Sequence, residues 1–303
     1  MSVVKRFLAS DSRRRAAYVP GDAVAMVLIS LMEVVVRWQL RIAGGIRRSP
    51  LRLLAPPVRD VFEAGRAWCL SRKKRAFDVV GSAAMLLAAG PMLLLIALAI
   101  KLTSRGRVLF SQPRVGLDGK TFRLLKFRTM RPNDGRGPLI TRKGDRRITP
   151  IGRFLRSTKL DELPQLVNVL LGEMSIVGPR PQTGRYVACY SAYDLHTLSV
   201  KPGLTDPATI LLRDQEAILG SVSGRLMEKY YTSKILPKRL AINLDYIERA
   251  GYWYDAKIIL LTGLVVLWPK SRRFAARQLK ARGSFTTTPQ TSLAGVRPIH
   301  PMA

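Results

Sequence analysis

The longest apolar run in the chain is VVGSAAMLLAAGPMLLLIALAI, Val79 to Ile100, 22 residues without a charge. A helix needs about 20 apolar residues to cross the hydrocarbon core of a bilayer, so length alone predicts a membrane-embedded helix. Gly90-Pro91 sits near its middle, where the proline removes a backbone hydrogen bond and crowds the preceding turn. Both flanks are basic, RKKR at 72–75 before it and Lys101, Arg105 and Arg107 after it. Basic flanks favour the cytoplasmic face, so a segment with two of them is expected to enter and leave on the same side. The pattern therefore predicts a re-entrant, proline-broken helix over 79–100, in preference to an ordinary kinked span.

Two shorter apolar segments lie on either side. AVAMVLISLMEVVV, residues 23–36, is interrupted by Ser30 and Glu33 and is followed by Arg37, Arg41, Arg47 and Arg48. It is too short to span and has no good cleavage site after it, so it predicts an interfacial helix within a basic N-terminal extension, 1–70. KIILLTGLVVLW, Lys257 to Trp268, ends in a tryptophan and a basic cluster, which suits a helix at the headgroup boundary or a buried core helix. Between them, RVLFSQPRVG and FRLLKFRTM read as short strands separated by turns such as LDGK and PNDG. GRFLRSTKLDELPQLVNVLLG, RDQEAILG and RLAINLDYIERAG carry helical periodicity. The last 35 residues, 269–303, hold seven Lys or Arg and no acid, and predict a disordered basic tail. The fold class is α+β and helix-rich.

Charge adds a partner to this picture. Lys and Arg number 51 against 20 acids, a net charge of +31, while 47% of residues are hydrophobic. Such a charge suits nucleic-acid phosphates or an anionic membrane surface, where each nearby Lys or Arg contributes about 1 kcal/mol. The charge clusters beside the apolar segments and in the tails, and the aromatic residues form no stacking platform. The bilayer is therefore the predicted partner, and nucleic acid is not. A basic scaffold attached to the membrane and binding nucleic acid or anionic lipid is the reading from another class. Cys69 and Cys189 are too far apart for metal-type spacing, and His196 and His300 form no cluster, so neither a disulfide framework nor a zinc site is expected.

The chain is poor in acids, yet LDELPQLVNVL, residues 160–170, sets Asp161 beside Glu162 just before Pro164. Alone, such a pair reads as a solvated helix turn. On a helix starting near Thr158 or Asp161, residues 161, 165 and 168 share a face, which would group Asp161 with Gln165 and Asn168. Proline at 164 is compatible only with the first turn or with a kink. Arg153, Arg156, Arg180, Lys126 and Arg128 surround the pair in sequence. An ionised Asp can attack phosphorus, but the two anions repel, so guanidinium groups or a hard divalent cation must neutralise the phosphate oxygens.

KRAFDVVG, FSQPRVGLDGKTFRLLKFRTM, TPIGRFLRSTKLDELPQLVNVLLGEMSIVGPRP and KPGLTDPATI, in this order over residues 71–268, resemble the bacterial sugar transferase family, the monotopic polyprenyl-phosphate phosphoglycosyl transferases. The resemblance implies a small cytoplasmic catalytic domain on the bacterial inner membrane, anchored by the re-entrant helix and by amphipathic interfacial helices. It implies transfer of a sugar phosphate from a nucleotide sugar, usually a UDP-sugar, to polyprenyl phosphate, with Mg2+ as cofactor. By position Asp161 matches the family nucleophile and a metal ligand, and Glu162 its partner. Arg156 matches a phosphate-holding arginine. Lys126, Arg128, Arg180 and Arg114 match further basic positions, and Gly90-Pro91 matches the helix break, commonly Ser-Pro. After KPGLT many members continue with a Gly-Leu-Ala-Gln type sequence where this chain has DPATI, which implies a different branch. A homo-oligomer is compatible with all of this.

Overall fold

The computed structural model of the chain describes residues 62–131, 145, 147–212, 219, 222 and 226–279. The expected helix at 23–36, the PNDG turn, most of RDQEAILG and the tail beyond 279 lie outside these residues.

Helix α1 (Glu63–Leu70) leads through Ser71 into α2 (Arg72–Thr103), whose N-terminus is capped by the Ser71 hydroxyl accepting from the Lys74 N–H. Helix α2 takes in the whole apolar run and continues through Pro91. The expected break is thus not an interruption of the helix: proline removes one N–H from the ladder, and the turns on either side keep theirs. Of its most apolar stretch only 17% is buried, and Leu87, Leu95 and Leu102 are exposed. A soluble core helix this apolar would be mostly covered, and among the described residues it is the one helix long and apolar enough to cross a membrane.

Both ends of α2 are seated on the same body. Near its start Arg75 donates to the carbonyls of Val169 and Leu170, and the Ile176 N–H and Ser175 hydroxyl donate to Asp78. Near its end Ile96, Ala97 and Ile100 pack with Phe127 and Leu155. There the Arg128 guanidinium donates to the carbonyls of Ser104 and Arg105, satisfying groups that a helix end and its exit loop leave open. The basic flanks are therefore partly structural: Arg75 caps a neighbouring helix, and Lys74 is only 1% exposed.

Strands β1 (Leu109–Val115) and β2 (Thr121–Phe127) form an antiparallel hairpin, Val115 opposite Thr121, around the LDGK turn. The turn needs a left-handed backbone at Asp118 and Gly119, which Asp and Gly supply at least cost. Helix α3 (Pro150–Thr158) follows, capped by Thr149 with proline in its first turn. The periodic stretch from Gly152 to Gly172, with a helix start expected near Thr158 or Asp161, is divided: Lys159 adopts φ 61°, ending α3. A 3-10 turn over Leu160–Glu162 then precedes α4 (Gln165–Leu170), which starts directly after Pro164.

Strands β3 (Ser175–Val177) and β4 (Gly203–Thr205) pair in parallel. A Cβ at Gly203 would fall 2.1 Å from the Gly178 nitrogen, so the VGPRP and KPGLT segments meet glycine against glycine. Helices α5 (Pro207–Leu211), α6 (Leu236–Arg249), α7 (Tyr252–Leu267) and α8 (Arg272–Leu279) complete the body. One core joins Phe62, Phe122, Met174, Ile176, Leu244, Tyr246, Ile258, Leu261 and Leu279. Among the described residues the packed body takes in Phe62 at one end and Leu279 at the other. Within the basic tail Ala275 and Leu279, four apart on one helical face, are buried.

Beneath the start of α2 lies a buried charge network. Lys74 Nζ sits 2.9 Å from Asp78 and 3.0 Å from Asp255, all at 3% side-chain exposure or less. Trp68 Nε1 and the Tyr246 hydroxyl donate to the two Asp255 oxygens at 3.0 and 2.8 Å. The network ties α1, α2, α6 and α7 together.

Candidate active site

A cavity of about 640 Å3 opens beside the 3-10 turn. One end is charged, lined by Arg114 and Lys126 from the hairpin, Arg156 and Lys159 from the end of α3, Asp161, Glu162 and Arg180. The left-handed Lys159 has a specific consequence: it ends α3 one residue before the 3-10 turn, and Asp161 then lines the cavity at 5% exposure. A non-glycine residue in this region costs roughly 1 kcal/mol.

The two carboxylates have opposite surroundings. Glu162 accepts two hydrogen bonds from Arg180, at 3.1 and 2.7 Å, with Lys159 Nζ at 3.7 Å. Burial works to raise its pKa, but Arg180 and then Lys159 outweigh it and hold Glu162 well below the usual carboxylate range. Asp161 has no such partner, and its buried Oδ1 accepts no hydrogen bond. Burial, reinforced by the Glu162 charge, raises its pKa to about 6 against the pull of Lys126, Lys159 and Arg156. Lys126 is lowered to about 8 by burial, with Glu162 and Asp161 pulling the other way. Arg114 is lowered to about 10 by burial and by Arg180 and remains a cation at neutral pH. The result is a basic carboxylate with a buried oxygen free of hydrogen bonds and cations around it, the arrangement an attack on a phosphate requires.

A family model described as bacterial sugar transferase matches residues 70–269, most of the described body and all of the site. The chain belongs to the bacterial sugar transferase family. It is 41% identical over 194 residues to the UDP-glucose:undecaprenyl-phosphate glucose-1-phosphate transferase of Caulobacter vibrioides, covering 63% of this chain and 68% of that one. It is 34% identical over 205 residues to the exopolysaccharide production protein ExoY of Rhizobium meliloti, covering 62% and 83%. It is 36% identical over 206 residues to the galactosyl transferase CpsE of Streptococcus agalactiae, covering 64% and 42%. An undecaprenyl-phosphate glucose phosphotransferase and three further glucose-1-phosphate transferases are matched over only 35 to 39% of their length.

In this sugar transferase, Arg114, Lys126, Arg156, Asp161, Glu162 and Arg180 meet at one cavity. Three other residues named from sequence are placed elsewhere. Arg128 has both terminal nitrogens on the end of α2 and its exit loop. Asn168 is 1% exposed and holds the hairpin, accepting from the Leu125 N–H and donating to the Arg123 carbonyl and Glu173. Gln165, 2% exposed, does not line the cavity. The expected common face of Asp161, Gln165 and Asn168 is therefore not presented to it, because the chain turns between Asp161 and the start of α4.

Other cavity residues were missed. Arg239, from α6, lines the cavity 3.5 Å from Asp206, and both are nearly buried. Asp206 also caps α5 through the Thr209 N–H. The DPATI departure was the available signal, because an Asp-Pro pair ahead of a short helix is a cap with a spare carboxylate oxygen. Lys159 carried no signal, since this backbone position usually reads as Gly or Asn.

Proposed function

We propose that this chain transfers a hexose 1-phosphate from a UDP-sugar to a polyprenyl phosphate, with Asp161 as the nucleophile. The observation that carries the reading is the buried, unpartnered Oδ1 of Asp161 in a cavity ringed by Lys126, Arg156 and Arg180. Ionised Asp161 attacks the phosphorus bearing the sugar. An Asp–phosphorus bond forms, the diphosphate bridge breaks, and UMP leaves with the electron pair. A phosphate oxygen of the polyprenyl phosphate then attacks the same phosphorus and releases the carboxylate, giving polyprenyl diphosphate sugar.

The cations carry the electrostatic work. Lys126 and Arg156 face the phosphate oxygens as charge moves onto the leaving UMP, which stabilises the transition state more than the ground state. Glu162 holds the Arg180 fork in place through its two hydrogen bonds, acting as a positioning residue. Mg2+ fits the donor set: it is commonly bound through one or two carboxylates together with substrate phosphates, and Asp161 Oδ1 is a carboxylate oxygen with no hydrogen bond to satisfy it. When bound it would supply charge neutralisation at the phosphates.

Anchoring of both ends of α2 on one body supports a re-entrant reading, since a spanning helix would place its ends on opposite faces. The catalytic body then lies on the cytoplasmic side of the inner membrane, where the nucleotide sugars are. The test is to incubate the purified protein in detergent with UDP-glucose or UDP-galactose, Mg2+ and polyprenyl phosphate. UMP release and a phosphosugar adduct on the peptide containing Asp161 are expected. Absence of both with any UDP-hexose would refute the reading.

A further inference from the structure

Part of the lining of the same cavity is apolar, unlike the charged residues around Asp161. It is formed by Met85 of α2, by Leu204 and Ile210 of the GLTDPATI segment, and by Ile259, Gly263 and Val266 of α7. Helix α7 has three faces. Ile258 and Leu261 are in the core, together with Val265, which also reaches the cavity; Ile259, Thr262, Gly263 and Val266 line the cavity; Leu260 and Leu267 are 72% and 87% exposed. At 100° per residue, Gly263 falls between the cavity face and the exposed apolar face. A Cβ built there meets nothing within 4 Å, so a side chain at this edge has room to start. The Thr205 and Thr262 hydroxyls, 2.7 Å apart, tie the wall to β4.

We infer that this apolar wall is the path by which the first isoprene units of the polyprenyl phosphate acceptor pass from the bilayer to Asp161, with Gly263 as its lip. The inference rests on the proposed function and adds where the acceptor enters. A lipid phosphate must bring its head to a charged site without drawing its chain through water, and burying each CH2 that would otherwise be wetted is favourable. An apolar wall continuous with both the phosphate site and two exposed apolar helices meets that need. The GLTDPATI segment, including the departure from the more common family sequence, forms part of this wall.

Gly263→Leu places a branched side chain at the lip, where a Cβ meets nothing within 4 Å. The UMP burst with UDP-sugar and adduct formation on Asp161 are expected to persist, whereas turnover with a long polyprenyl phosphate falls at least about tenfold, the effect of losing one ordinary binding contact. A one-isoprene phosphate acceptor, which needs no path, loses less. Wild-type turnover with the long acceptor, or equal loss of both half reactions in a folded variant, would overturn the inference. Absence of a burst in the wild-type protein would instead sink the proposed function. As a second arm, a polyprenyl phosphate carrying a diazirine on its first isoprene unit is photolysed with the wild-type protein. Labelling of 259–266 or Met85, competed by unlabelled polyprenyl phosphate, is expected. Labelling elsewhere, or labelling competed by bulk phospholipid alone, assigns the groove to another occupant and refutes the inference.

Discussion

The network under α2 and the Asp161-Glu162 pair each bury two acids among the described residues, and they solve the cost of burial in opposite ways. In the network under α2, Lys74 faces two carboxylates, and both Asp255 oxygens accept hydrogen bonds. In the cavity, Glu162 is satisfied by Arg180 while Asp161 Oδ1 has no donor. A satisfied buried charge holds elements together; an unsatisfied one keeps its basicity and its lone pairs for a ligand. Burial alone would have flagged both clusters. The hydrogen-bond count separates the structural one from the reactive one.

The sharpest test of that difference compares two Asp→Asn changes. Asp161→Asn is expected to lower UMP release at least about 10^3-fold, as loss of a nucleophile does, while Asp255→Asn retains a burst in whatever fraction folds. Residual release near wild type in Asp161→Asn would end the nucleophile assignment.

Stability should move in opposite directions for the same pair. Asp255→Ala leaves Lys74 short of a partner and should cost about 3–5 kcal/mol in denaturant unfolding. The Asp161 pKa is raised in the folded state, so folding loses stability as pH climbs from about 4 through 6. At pH 7.5 Asp161→Asn removes that cost and should be more stable by about 1–3 kcal/mol, with the gain absent below pH 4. A destabilised Asp161→Asn at pH 7.5 would mean that the carboxylate is a structural partner after all.

The same shifts set a pH window. Asp161 must be ionised and Lys126 protonated, so kcat/KM for the UDP-sugar should rise through about 6 and fall through about 8. Lys126→Arg should extend the alkaline limb; a limb that stays in place would assign it to another group.

The smallest effect concerns Arg128. Its place at the end of α2 predicts that Arg128→Ala lowers stability by about 1–2 kcal/mol and leaves KM for the UDP-sugar unchanged. A raised KM with unchanged stability would return it to the phosphate site.

How much of this was legible in the sequence depends on the range of the forces involved. The hairpin was readable from LDGK and its flanking alternation, because turn chemistry is local. Proline at 164 was expected in a first turn or a kink and stands immediately before the first residue of α4. The face shared by Asp161, Gln165 and Asn168 assumed a regular helix from Asp161 onward, whereas Leu160–Glu162 forms a 3-10 turn and α4 starts only at Gln165, so the helical spacing does not carry across. Charge was read as flank: RKKR sits beside an apolar run, but Lys74 is neutralised by Asp255, 181 positions away, a pairing no local pattern reveals.

By itself the sequence determined the apolar helix, its basic setting, the Asp161-Glu162 pair and the family they resemble, since each rests on composition or on contiguous spacing. Only the tertiary structure decided which of the two acids stays unpartnered, which arginines reach the cavity and which cap helices. It also decided that an apolar wall adjoins the phosphate end. Those outcomes depend on hydrogen bonds and burial between segments distant in the chain, and such contacts exist only once the chain has folded.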